Sequence, residues 1–117
     1  MTRDTPLHYR SIAEITTDMA AGSISAEEVA RQTLERIASL EPMLHAFAEV
    51  RADVALDEAR AADASRAAGE PPGPLHGVPI AVKDLCAMPG TDTRAGGFFP
   101  TGFAPGDLAT AVARLPA

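Results

Sequence analysis

The first forty residues carry two apolar patterns with helical spacing, and the first of them begins at Ser11. Glu14 follows three positions later, so the pair has the pattern of a capping box, in which each residue caps the other's backbone. Gly22 marks the expected end of this helix. The apolar residues that recur at the helical period between these points are Ile12, Ile15 and Met19.

A second helix repeats this pattern from Ser25, with Glu28 three residues later as the expected partner in a second capping box. Pro42 is expected to stop this helix, because proline lacks the N–H that a helix interior needs. The residues that line one face are Val29, Thr33, Ile37 and Leu40. Both serine–glutamate pairs therefore predict local structure rather than chemistry.

The rest of the chain predicts two strands, two helices and a long irregular region. Residues 46–50 are apolar except for Glu49 and are interpreted as a short strand, although periodicity alone leaves a helical start open. The segment 53–68 is interpreted as a long helix with a solvated acidic face. Glycine and proline dominate residues 69–106, which predicts loops around one strand at 78–83. A last helix is predicted over 107–115.

The predicted fold class is α/β, but the elements are too few to complete a sheet covered by helices. The strand at 78–83 needs sheet neighbours that these 117 residues do not supply, and an isolated pair of strands is marginally stable in water. Hydrophobic residues make up 46% of the chain, but many are alanines, and aromatic residues make up only 4%. Alanine buries little apolar area, so we expect a small core and an incomplete fold.

The net charge and the cysteine content limit which binding partners and which cellular compartment are expected for this chain. The formal net charge of −6 argues against direct binding of nucleic acid, which needs a basic face. The single cysteine, Cys86, gives no internal disulfide and suits a reducing cytoplasm. Met1 to Asp4 lack the apolar run of a signal peptide, and no stretch has the length of a membrane helix. We therefore expect a cytoplasmic protein without membrane contact.

Lys83 is the only lysine in a chain with nine arginines. It lies at the predicted C-terminal end of the strand 78–83, on the opposite face from the strand's valines and isoleucine. A Gly/Pro-rich loop follows, and α/β proteins place their chemistry at such positions. The alternative from the pattern alone is an ordinary surface lysine.

Residues 73–85, which read GPLHGVPIAVKDL, resemble the segment around the catalytic lysine of the amidase-signature family. Residues 89–96 and 109–115 are similar to the loop and the helix that follow it in that family, and the two capped helices are similar to its start. The resemblance thus covers nearly the whole chain. It implies that residues 1–117 are the N-terminal portion of a single amidase domain, whose helices pack on a mixed sheet, with a helical start at 1–68.

The resemblance also implies an activity, which is hydrolysis of an amide C–N bond by a Ser–cis-Ser–Lys triad. Lys83 is then the general base, acting through a bridging serine on a second serine that attacks the carbonyl carbon. An acyl-enzyme forms, ammonia or an amine leaves, and water completes the reaction. Such a base must be a neutral amine, whereas free lysine is charged at neutral pH.

The sequence departs from the family pattern where the serines should be. It contains no segment resembling Gly-Ser-Ser-Gly-Gly-Ser, and Leu108 stands where an acidic residue is common. The serines that it does contain fall in predicted helices, caps or a turn, and they are Ser11, Ser23, Ser25, Ser39 and Ser65. We therefore expect this chain to be a fragment that is inactive by itself. The alternatives are a non-catalytic subunit-interaction module, or a full-length form that serves as the A subunit of an aminoacyl-tRNA amidotransferase.

Other candidate chemistry in the chain is weak, and no cofactor or metal is predicted. His8, His45 and His76 lack the spacing of metal ligands. Cys86 could be a thiol nucleophile, but no histidine is spaced to suggest a partner. Residues 89–97 do not match a phosphate-binding loop. The expected partners of the full-length form are a small amide substrate and either a second copy or the other subunits of an amidotransferase.

Overall fold

The computed structural model describes residues 5–104 and 106–115, which form two compact units, Met1–Pro79 and Ile80–Ala117. The first unit begins with a 3-10 turn at Leu7–Tyr9. Its three helices are α1 (Ile12–Ala20), α2 (Ala26–Leu44) and α3 (Ala52–Ala67), and the second unit contains α4 (Thr110–Ala113). Met1 to Asp4, where no signal peptide is expected, lie outside the described residues. No helix in the described part of the chain has the length and apolar character needed to cross a bilayer.

The capping box predicted for α1 is confirmed. The Ser11 hydroxyl accepts a hydrogen bond from the Glu14 amide, and the Glu14 carboxylate accepts one from the Ser11 amide at 2.8 Å. These bonds from Ser11 hold the pKa of Glu14 below its ordinary value, because they stabilise the charged carboxylate. Local chemistry alone therefore sets the start of this helix.

The second helix begins as predicted but ends later. The Ser25 hydroxyl accepts from the Glu28 amide at 3.0 Å, which confirms the serine cap. The Glu28 carboxylate, however, accepts from Arg31 and from Gln32, so it does not close a second capping box. The predicted stop at Pro42 is wrong, because the helix continues to Leu44. Proline lacks an N–H and crowds the carbonyl four residues before it, but Pro42 lies only two residues before the helix ends. The His45 amide still closes the last turn by donating to the Glu41 carbonyl at 2.9 Å.

A carboxylate from α3 completes the N-terminal cap of α2. Asp63 accepts hydrogen bonds from the backbone N–H groups of Ala26 and Glu27, at 2.8 and 3.0 Å. These are among the N–H groups that have no partner within a helix. The negative charge also lies at the positive end of the helix dipole, which is a favourable position. This contact joins two helices whose bonding residues are 36 and 37 positions apart in sequence.

The core of the first unit is small and built largely from alanine. Its buried residues are Met19, Ala26, Val29, Ala30 and Ala59. Partly buried apolar residues surround it, and they are Leu7, Ile15, Ile24, Leu56, Ala62 and Val78. The expectation of a limited core agrees with this arrangement, because small side chains bury little area but allow helices to approach closely.

Gly77 lies against this core at a position where no other residue fits. Its φ of +75° is in the left-handed region, and a Cβ built on it would lie 2.8 Å from the Ala26 Cβ and 3.2 Å from the Met19 sulfur. The close approach therefore depends on the missing side chain. Through Gly77, the start of the lysine-containing segment packs against α1 and α2.

The predicted sheet is not found, so the α/β assignment with helices packed on a mixed sheet is wrong for this structure. Among the described residues all regular elements are helical, and neither 46–50 nor 78–83 forms a strand. A strand requires neighbouring strands to satisfy its N–H and C=O groups, and these two segments do not pair. The helix predicted at 53–68 is confirmed within one residue, whereas only Thr110–Ala113 of the helix predicted at 107–115 is helical.

We predict that Gly77→Ala destabilises the chain far more than Gly69→Ala. Both glycines have φ near +75–79°, but nothing lies within 4 Å of a Cβ at Gly69. Gly69→Ala, the control variant, is therefore expected to lose only about 1 kcal/mol of stability, through backbone strain. Gly77→Ala adds an overpacking cost of about 1–3 kcal/mol against Ala26. Urea unfolding followed by circular dichroism measures both, and equal losses would contradict the close packing.

We predict that Asp63→Ala lowers the free energy of unfolding by about 1.5–3 kcal/mol, because two backbone N–H groups lose a charged acceptor. The matched control is Asp57→Ala on the same helix, whose side chain is 77% exposed. Exposed substitutions change stability by about 0.5 kcal/mol or less. The thermal midpoints of the two variants provide the comparison, and similar midpoints would argue against the cap.

Candidate functional site

The first half of the candidate lysine motif lies in the first unit, where the backbone is held by α3 and the core. The Nε2 atom of His76 is 2.8 Å from the Ala62 carbonyl oxygen, and it donates because a carbonyl can only accept. Gly77 follows at its close contact with Ala26, and Val78 packs against the core. His76 thus anchors the start of the motif to α3.

Lys83 lies in the second unit with an exposed side chain. Its carbonyl oxygen accepts hydrogen bonds from the amides of Leu85 and Cys86, at 2.7 and 3.0 Å, so the chain turns directly after it. Val82 is half-buried and Lys83 is exposed, as the predicted alternation requires, but Ile80, which is predicted to lie on the packed face with the valines, is 45% exposed. The alternation is therefore not maintained along 78–83. In the described part of the chain the ammonium group has no hydrogen bond or ion pair.

Asp84 connects the lysine to the loop that follows. Its Oδ1 atom accepts a hydrogen bond from the backbone amide of Arg94 at 3.0 Å. The Arg94 guanidinium donates to the Phe98 carbonyl at 2.7 Å, and the Thr93 carbonyl accepts from both the amide and the hydroxyl of Thr101. Thr93 itself is buried. Residues 93–101 therefore form a loop that is closed at its base and attached beside Lys83.

The five serines of the chain are all in the first unit, and their hydroxyls are used locally. Ser11 and Ser25 cap helices, as predicted. Ser23 donates to the Asp18 carbonyl, Ser39 donates to the Arg36 carbonyl, and Ser65 donates to the Glu70 carboxylate. None has the glycine-rich surroundings of an exposed nucleophile. The structure thus places a candidate base on the surface without a serine arranged to react.

The other residues considered for chemistry, two histidines and the cysteine, lie in surroundings that indicate a structural role. His8 packs beside Tyr9, with ring centroids 4.3 Å apart, and His45 ends α2 with a φ of +47°. Cys86 is a half-buried free thiol. No group of three or more potential metal ligands occurs among the described residues. The expected absence of metal and cofactor therefore remains a prediction, with no arrangement here that points to either.

Sequence reasoning missed a groove of about 450 Å³ between α2 and α3. Its lining includes the apolar side chains of Leu34, Ile37, Val50 and Leu56, together with the charged residues Arg31, Glu35 and Glu41. The helical spacing of the apolar residues in α2 was the available signal. The acidic residues of α3 were interpreted as solvated, so the role of Asp63 in capping α2 was missed as well.

Comparison with known proteins confirms the resemblance stated from the motif. The family model described as Amidase matches residues 28–117. The chain is 47% identical over 113 residues to a protein of Salinispora arenicola (strain CNS-205), covering 97% of this chain and 23% of that protein. It is also 48% identical over 112 residues to a protein of Ectopseudomonas mendocina (strain ymp), covering 95% of this chain and 23% of that protein. Each of these two proteins is named as the A subunit of glutamyl-tRNA(Gln) amidotransferase. The chain spans less than a quarter of the length of these relatives.

We predict that Asp84→Ala speeds hydrogen exchange of the Arg94 amide by about tenfold or more, because a hydrogen bond to a charged group contributes about 1.5–3 kcal/mol. Asp92→Ala is the matched control, since Asp92 contacts the Arg94 side chain rather than its amide, at 3.5 Å. The exchange rate of the Arg94 amide, measured by NMR in both variants, tests this prediction. Unchanged exchange in Asp84→Ala would show that Asp84 does not hold the loop.

Proposed function

Because this chain belongs to the amidase family, we propose that it contributes a lysine base, Lys83, to the hydrolysis of an amide C–N bond. The observation that carries the proposal is the position of this single lysine at the end of the motif 73–85, within the matched residues 28–117. Its exposed side chain is free of competing ion pairs among the described residues. The turn after it and the Asp84 contact to Arg94 support its backbone.

The proposed chemistry assigns Lys83 a proton-transfer role. A neutral amine accepts the proton of a bridging serine, which in turn accepts the proton of a second serine as that oxygen attacks the amide carbonyl carbon. The amine of the substrate leaves with a proton returned by the same relay, and water then attacks the acyl-enzyme. General acid–base catalysis of this kind contributes about 10²–10⁴-fold. Both serines must come from outside these 117 residues, since no suitable serine segment occurs among them.

The solvent exposure of Lys83 determines whether its amine can act as a general base in the isolated chain. Water stabilises the charged form of a lysine, whereas a general base must be neutral. Burial of the amine must therefore come from the part of an amidase domain that the relatives carry beyond this region. On this proposal, the purified 117-residue chain does not hydrolyse amides.

The names of the relatives support a narrower form of the proposal, in which the longer protein acts as the A subunit of a glutamyl-tRNA(Gln) amidotransferase. Several proteins of that name are 46–48% identical to this chain over 91–97% of its length. An amidotransferase moves nitrogen from a donor amide to an acceptor, so amide hydrolysis at the lysine site supplies the nitrogen. Such a protein works with partner subunits in the cytoplasm. With a net charge of −6, this region leaves contacts with tRNA to those partners.

The test joins this chain to the remainder of the Salinispora arenicola relative, beyond the aligned 113 residues, and measures ammonia release from small primary amides. We predict that the joined protein is active and that Lys83→Met lowers its kcat by about 10²–10⁴-fold. Lys83→Arg is expected to lose as much activity, because a guanidinium is always protonated in proteins.

Arg36→Met is the matched control, since Arg36 is an exposed cation on α2. This control should retain full activity, and circular dichroism should show that all variants are folded. Activity that survives Lys83→Met in a folded protein would eliminate Lys83 as the base.

A further inference from the structure

Asp84 holds together two parts of the second unit. One part is the turn after Lys83, in which the lysine carbonyl accepts hydrogen bonds from two backbone amides. The other part is the loop 93–101. The Asp84 carboxylate accepts the Arg94 amide at 3.0 Å, across ten positions in sequence. In the part of the chain that the structure describes, no other side-chain hydrogen bond links the segment 80–86 to this loop.

The loop 93–101 is a firm anchor for that bond, because it is internally bonded. The Thr93 carbonyl accepts from both the amide and the hydroxyl of Thr101, and Thr93 is buried. The Arg94 carbonyl accepts a backbone amide three residues later, at 2.8 Å. Ala95 has a φ of +49°, a left-handed conformation that a residue other than glycine keeps only where the surrounding structure imposes it. Asp84 therefore binds the turn to a loop whose base is fixed.

The position of Lys83 depends on its backbone. Its side chain is exposed and has no ion pair or hydrogen bond among the described residues, and lysine carries its amine on a flexible four-carbon stem. The turn that follows the residue is then what sets the place from which this stem extends. A shift of about 1 Å at a catalytic group lowers a rate by about 10²-fold. The contact that fixes the turn therefore governs whether the amine lies within hydrogen-bond reach of a reacting proton.

The Asp84 carboxylate acts through the loop and not as an ion-pair partner of the lysine. Asp84 is half-buried whereas Lys83 is exposed, and the bonded carboxylate oxygen meets a backbone N–H. An ion pair between the two side chains would favour the charged amine, which opposes the role of a general base. A hydrogen bond to the loop holds the lysine backbone without this penalty.

We propose that Asp84 is a positioning residue for Lys83, because its carboxylate oxygen accepts the Arg94 amide and so fixes the lysine's turn to the loop 93–101. This inference rests on the proposed function and deepens it, since it assigns a second residue to the same site. What Asp84 contributes is an acceptor atom at a fixed place. Its negative charge is therefore dispensable for catalysis.

The experiment uses the joined protein described above and measures kcat and KM for ammonia release from propionamide, benzamide and L-glutamine. Asp84→Ala is expected to lower kcat by about 10²-fold and to change KM less than about twofold, because the amine is misplaced while the substrate contacts remain. Asp84→Asn is expected to keep kcat within about threefold of the wild-type value, because the oxygen of its side-chain amide accepts the same N–H.

Asp84→Glu is the complementary variant, and its comparison with Asp84→Asn tests the proposal even if Asp84→Ala does not fold. It keeps the charge but displaces the acceptor by one methylene, so its kcat should fall by about tenfold or more. Hydrogen exchange of the peptide that contains Arg94, measured by mass spectrometry, should be faster in Asp84→Ala and Asp84→Glu than in Asp84→Asn. A kcat lower in Asp84→Asn than in Asp84→Glu would assign the effect to charge and overturn the proposal.

Asp107→Ala is the matched control, since Asp107 also accepts a backbone amide in the second unit, that of Ala104 at 2.7 Å. This variant should retain the wild-type kcat. The inference is overturned if Asp84→Ala also retains it, or if Asp107→Ala loses as much activity as Asp84→Ala. Lys83→Met separates the two proposals. Activity that survives Lys83→Met removes the proposed function, whereas activity lost in Lys83→Met but unchanged in Asp84→Ala overturns this inference alone.

Discussion

The carboxylate of Asp63 at the start of α2 is the contact on which the first unit depends. It accepts the N–H groups of Ala26 and Glu27, while Ser25 accepts that of Glu28, so three successive donors at the helix start are paired. The core beside it is mostly alanine and supplies little hydrophobic stabilisation. A charged hydrogen-bonded cap can therefore account for a large share of the stability of this small unit.

Small side chains have a second consequence, which is the close approach of the motif to the helices. Gly77 meets Ala26 at a distance that excludes a Cβ, and His76 donates to the Ala62 carbonyl on α3. Ala26 thus has two roles, since its N–H contacts Asp63 and its methyl group contacts Gly77. The same few atoms that hold the helices together also hold the beginning of the segment that leads to the lysine.

Lys83 has a defined backbone but not the environment of a base. Its carbonyl is bonded in a turn and its neighbour Asp84 holds Arg94, yet its side chain is exposed to water. Burial is what would favour a neutral amine. The aromatic residues are exposed as well, so the small core of the first unit is formed without them.

The sequence by itself determined the starts of α1 and α2, the extent of α3 within one residue, and the family. The reason is that helix caps, helical periodicity and a sequence motif all depend on residues that are close together in the chain. The absence of a strand at 78–83 and the role of Asp63 were decided by contacts between residues far apart in the chain. The segment 78–83 has the composition of a strand but forms none, because a strand depends on partners elsewhere. Asp63 resembled a solvated helix residue, and only the packing of α3 on α2 showed that it caps a helix more than thirty residues away.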